Sequence, residues 1–225
     1  MRFVSLILLT VTVNLMAMDS NIVSLNKTAE FEVKYANYKI LLGEYLEGLK
    51  YCKWVVEKSD TNTSFQAGAW ALLGELYFLG QGGVTQDLVA ARMYCEKASK
   101  QNFHLPAKGL ALVTLGQLEL KNNPKLAKKK WKKALDKVDV NEVGIKAAAY
   151  YLLGNYYATK AETAGQSLDK AKFSYYQVLG LGISQPPFMA WGEFANTALR
   201  KLDGLETDEI ADKVKKLPAI GYVNS

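Results

Sequence analysis

A single histidine, His104, deprives the chain of the imidazole pairs and nucleophile partners that most hydrolytic chemistry uses. One histidine and two cysteines 43 positions apart, Cys52 and Cys95, make no metal-ligand spacing. No catalytic residue, metal ligand or cofactor site is assigned. Only five prolines interrupt 225 residues, so long helices are permitted, and with 49% apolar content the chain is too hydrophobic for disorder. After the first residues, no stretch reaches the ~18 consecutive apolar positions needed to span a bilayer. Acidic residues are the scarcer charge, 22 against 28 basic ones, and the net charge of +6 favours anionic partners.

What is present begins with MRFVSLILLTVTVNLMA, which reads as a secretory signal: Arg2, an apolar run from Phe3 to Val13, then Asn14 and the small Ala17. Cleavage near Ala17 implies a periplasmic or secreted protein, and the alternative is a retained membrane anchor. Residues 18–27 are a linker. Export permits one bridge between Cys52 and Cys95. The alternative is two buried thiols, since stacked helix axes ~8–10 Å apart exceed ordinary disulfide spans.

The chain centres on residues 68–99, GAWALLGELYFLGQGGVTQDLVAARMYCEKAS. Ala69, Leu72, Leu73, Leu76 and Tyr77 recur at helical spacing, and Gly80, Gly82 and Gly83 break the chain. Ala90, Ala91, Tyr94, Cys95 and Ala98 then resume the period. This predicts a helical hairpin. Gly80 to Gly83 lack the Lys and Ser or Thr of a phosphate loop, so they read as the interhelix turn. A lone hairpin cannot bury both its apolar faces and needs neighbours of its own kind. The grammar does repeat: Ala111, Leu115 and Gly116 match Ala69, Leu73 and Gly74, and Ala149, Leu153, Gly154 and Tyr157 match them again, at offsets of 42 and 38 residues. Upstream, a helix from near Thr28 and the segment Leu41 to Ser59 form a first pair, with Gly43 at a tight turn and Gly48 at a close approach. From Ser184 the pattern changes to a helix over Phe188 to Leu202 and a charged helix over Asp208 to Lys216, an end cap with a more polar outer face. Residues 218–225 are a tail.

Ala69, Leu73, Gly74, Tyr77, Gly80, Gly82, Val84, Asp87, Ala91, Tyr94, Lys97 and Ala98 resemble the Sel-one-like repeat, a branch of the tetratricopeptide superfamily. The fourth unit keeps Ala149, Leu153, Gly154, Tyr157, Lys170, Ala171 and Tyr175. The third is more degenerate, with Glu119 at the aromatic position. The resemblance implies an all-α chain over residues 28–217, an α-solenoid of antiparallel helix pairs in a right-handed superhelix with a C-terminal helical cap from about 184. It also implies binding of other proteins.

Two surfaces are candidates. Tyr150, Tyr151, Tyr156 and Tyr157 sweep too wide an arc to face one core, so some are available as anchors for a protein or peptide partner in the cell envelope. Seven lysines crowd Lys121 to Lys133. On a helix starting at Pro124, with Leu126, Ala127, Trp131, Ala134 and Leu135 buried, Lys125, Lys128, Lys129 and Lys132 face solvent. That face suits an anionic cell-wall polymer or lipid, or is simply a solvated face. No aromatics interleave with these lysines to stack bases, and nucleic acid is not an expected partner. The expected function is thus a non-catalytic exported adaptor or scaffold, the alternative being anionic-ligand recognition.

Overall fold

The computed structural model describes residues 29–58, 64–102, 105–139, 141–161, 165–181 and 189–203. The signal segment, the linker, most of the 60–64 loop, His104, the punctuation at Ser184 to Pro187, the second cap helix and the tail lie outside the described residues. Among those described, every regular element is an α-helix: α1 (Ala29–Leu41), α2 (Tyr45–Lys58), α3 (Ser64–Leu79), α4 (Leu88–Lys100), α5 (Leu105–Glu119), α6 (Pro124–Lys137), α7 (Val143–Ala161), α8 (Gly165–Gly180) and α9 (Met189–Asp203). The chain divides into two compact units, Met1–Ile145 and Lys146–Ser225.

In the first unit α1 packs on α2, α3 on α4 and α5 on α6, while α2 and α4 each pack on the helix that follows. The first helices of successive pairs also touch, α1 on α3 and α3 on α5. This is α-solenoid packing, in which each pair buries the face its neighbour leaves open. The interior helices α3 and α5 are largely apolar and buried over most of their surface. Ten consecutive residues of α5, Ala107 to Gly116, are buried, Lys108 and Thr114 among them.

The turns follow local chemistry. Gly43 has φ +81°, and Gly80, Gly82 and Gly83 have φ +59°, +56° and +87°, a left-handed region that a Cβ disfavours, so the glycine cluster is indeed the interhelix turn. Asp87 then caps α4, accepting hydrogen bonds from Val89 N and Ala90 N at 3.0 and 2.9 Å. Asn123 does the same for α6, accepting from Leu126 N at 3.1 Å ahead of Pro124 at the first helical position.

Between paired helices one motif recurs. A small residue on the first helix leaves room for a larger side chain on the second: Cys95 Sγ lies against Gly74, the Trp131 indole against Gly116, and the Tyr175 ring against Gly154. Four residues before each large partner sits a fully buried alanine, Ala91, Ala127 or Ala171. Three residues after it comes Ala98, Ala134 or Val178, also fully buried. Cys52, with Gly48 before it and Val55 after it, holds the same register on α2.

That register corrects the bridge considered for Cys52 and Cys95. Both are free and fully buried. They occupy equivalent positions one helix pair apart, on α2 and α4, with α3 packed against both helices and Cys95 Sγ turned towards Gly74. Two stacked copies of one position keep a repeat's separation, which exceeds disulfide reach. Glu119, the misfit in the third unit, pairs with Arg92 of α4. A salt bridge between α4 and α5 thus stands where the second helix pair stacks Tyr77 on Tyr94.

In the second unit Tyr175 of α8 donates to Asn155 Oδ1 of α7 at 2.7 Å. The first cap helix is present as α9, packed on α8 and burying Trp191, Ala195 and Leu199.

Candidate functional site

The second pair and its upstream neighbour build a surface from cations and rings. Tyr77 on α3 and Tyr94 on α4 stack at 5.9 Å between centroids with planes 6° apart. Lys53 Nζ of α2 lies 5.8 Å from the Tyr77 centroid, and Lys97 Nζ lies 5.8 Å from both the Tyr94 and Trp70 centroids. Each ammonium thus sits at cation–π range, its stem covering the ring and its head in water. Beside this pair an open groove of about 370 Å³ is lined by Leu46, Leu49, Lys50, Lys53, Trp54 and Glu57. Leu46 is exposed, and Trp54 is half-buried. Burial, then the neighbouring Tyr77, pushes the Tyr94 hydroxyl above its ordinary value, so Tyr94 stays a neutral donor and acceptor. Two leucines, an indole and the neighbouring half-buried phenols offer apolar anchoring, with an edge of Lys50, Lys53 and Glu57 that is cationic on balance.

Of the four tyrosines of α7, Tyr156 is buried and the other three are half-buried. Tyr151 lies among Tyr175, Trp191 and Phe194 at centroid distances of 5.8, 5.6 and 5.8 Å. Tyr157 meets Tyr156 edge-on at 5.4 Å, and both Tyr150 and Tyr157 are half-buried. The wide angular sweep is real, but α8 and α9 take up much of it, because Gly154 lets Tyr175 come close and Trp191 follows on α9. The second pair's cation–aromatic surface went unrecognised in the sequence, since Lys53 and Tyr77, and likewise Trp70 and Lys97, are brought together only by packing.

On α6 the expected stripe is buried at Ala127, Trp131 and Ala134, with Trp131 Nε1 donating to Val113 O at 3.1 Å. Lys125, Lys129 and Lys132 are exposed, joined by Lys133, whereas Lys128 is only half-exposed. α6 holds seven lysines and one aspartate, a net +6, and the rest of the chain holds 21 basic and 21 acidic residues. One helix carries the whole net charge.

The core hides one ionisable group. Glu75 of α3 is fully buried, both its carboxylate oxygens lack a hydrogen-bond partner, and burial raises its pKa well above the ordinary value. A carboxyl so placed is held neutral. Cys95 lies beside it, its thiol raised first by burial and then by Glu75. Among the described residues no three His, Cys, Asp or Glu side chains form a metal-holding group, and no helix is long and apolar enough to cross a membrane. No protein-family model matches the chain, and no curated protein or solved structure matches it either.

Proposed function

We propose that the chain is a non-catalytic helical-repeat protein of the Sel-one-like kind, exported to the cell envelope, where it works as an adaptor by holding a segment of a partner protein. The supporting observation is the groove on α2 beside the stacked Tyr77 and Tyr94, with Leu46, Leu49 and Trp54 for an apolar side chain and Lys50, Lys53 and Glu57 completing its lining. Tyrosine and tryptophan supply large contact area at small entropic cost, and both are enriched among the residues that dominate binding energy. The cationic rim favours a segment carrying carboxylates near its apolar anchor.

A photoreactive residue at position 54, introduced in cells of the source organism, tests the reading. It is expected to crosslink reproducibly to one protein. The control is the same probe at Val89, which is 81% exposed and lies on the side of α4 away from Tyr94. Equal labelling from both positions, or no protein adduct from position 54, overturns the proposal.

A further inference from the structure

We propose that the solvent face of α6 is a docking surface for membranes rich in anionic phospholipid. Lys125, Lys129 and Lys132 fall along one line of the helix, with Lys133 beside them, at i, i+4, i+7 and i+8 spacing. The opposite line is locked into the core by Ala127, Trp131 and Ala134. Trp131 is held by its own hydrogen bond and by the space at Gly116, so the helix cannot roll its lysines away from solvent.

These charges are left unneutralised. Lys125, Lys129, Lys132 and Lys133 form no ion pair with any described residue, and Asp136 is the one carboxylate of α6. Like charges at i, i+4 destabilise a helix, and cations in its first turn oppose the helix dipole. The array therefore works against the stability of its own helix until an anion meets it. Lys108 of α5 registers the field behind that face: it is buried and donates to Asn102 Oδ1 at 2.6 Å, and its ammonium is lowered first by burial and then by Lys133 and Lys137.

The chemistry of the face selects the occupant. It has lysines without arginine forks, so it presents mobile point charges rather than a bidentate socket. The tryptophan of α6 is buried, which leaves no ring to stack a base and no apolar anchor to seat a peptide. Such a face reads charge density and not shape, and a plane of phosphodiester headgroups is the matching surface. The helix, about 20 Å long, lies along that plane.

The test is co-sedimentation of the full chain with vesicles of phosphatidylcholine alone and with vesicles containing phosphatidylglycerol. Binding is expected only to the anionic vesicles, and it should weaken more than tenfold when salt rises from about 0.05 to about 0.5 M. The variant K125Q/K129Q/K132Q, checked for unchanged circular dichroism, is expected to lose about a hundredfold in affinity, about fivefold per lysine. K50Q/K53Q/K97Q, which alters the groove's two lysines and the cation beside Tyr94, should bind vesicles like the parent, so failure here and failure of the groove reading remain distinguishable. Equal binding to both vesicle types, or full binding by K125Q/K129Q/K132Q, overturns the proposal. So does capture by soluble polyglutamate or DNA without binding to anionic vesicles.

Discussion

Replacing Gly116 by alanine tests the packing motif that joins each helix pair. In a free helix the change is favourable by about 1 kcal/mol, because glycine loses more backbone entropy than alanine. Here the new methyl would sit 2.6 Å from Trp131 Cδ1 and 2.8 Å from Cε2, well inside van der Waals contact. The indole is fully buried and has nowhere to retreat without breaking its 3.1 Å bond to Val113 O. Overpacking of this kind costs ~1–3 kcal/mol, and stranding a buried N–H costs another ~1–3. The net loss is then roughly 2–4 kcal/mol, a fall in Tm of about 4–16 °C if each kcal/mol moves it about 2–4 °C. The matched control is Gly192→Ala on α9, where the nearest atom to the new methyl is Leu179 Cδ2 at an ordinary 3.8 Å. That change should stabilise by up to about 1 kcal/mol. Thermal and urea melts followed by circular dichroism measure both. A Gly116→Ala protein as stable as the parent would refute the reasoning, since the indole would then be loosely held.

Burial, with Asp139 adding to it, raises Glu142 to about 7, so it binds a proton in the fold that it releases near 4.5 when unfolded. Its contribution is complete below about pH 4.5 and is lost as pH rises towards 7; Glu142→Gln should remove that slope, worth about 1–2 kcal/mol at pH 8 after allowing for partial exposure. Glu75 has the same sign, and Glu75→Gln should raise stability more at pH 8 than at pH 4; a gain independent of pH would mean that the carboxyl is not held neutral. Cys52 and Cys95 should resist a thiol reagent in the native protein and react in denaturant, and reduction should leave the mass unchanged; a gain of two hydrogens on reduction would reveal a bridge. Asp87→Ala should cost about 1 kcal/mol through the lost cap, read from a urea titration.

The paired-helix architecture was legible because the small residues are few and regularly placed. Gly74, Gly116 and Gly154 announce the crossing points, and Gly80 to Gly83, Asn123 and Pro124 mark turns whose geometry is local. Side chains that meet only across pairs were not legible. Glu119 looked like decay of the pattern until Arg92, 27 residues earlier, was found opposite it. The tyrosines of α7 resembled surface anchors because periodicity says how wide an arc they sweep and nothing of what covers it. On α1 the aromatic stripe stays at the margin, Phe31 and Tyr35 half-buried and Tyr38 exposed, while Val33, Ala36 and Ile40 enter the core. The cation–aromatic surface suffers the same limit, since Lys53 meets Tyr77 only when α2 packs on α3.

The turns within the three helix pairs of the first unit span residues 42–44, 80–87 and 120–123, yet the second and third precede the same crossing, reached after 21 residues from Gly74 and after 15 from Gly116. Helix docking is thus indifferent to how long the chain takes to reverse. A reporter sequence spliced between Lys121 and Asn122, both exposed, would enter at a point the core does not measure. The scaffold thereby offers a port for a fluorophore or affinity handle next to the lysine helix, leaving the crossing untouched.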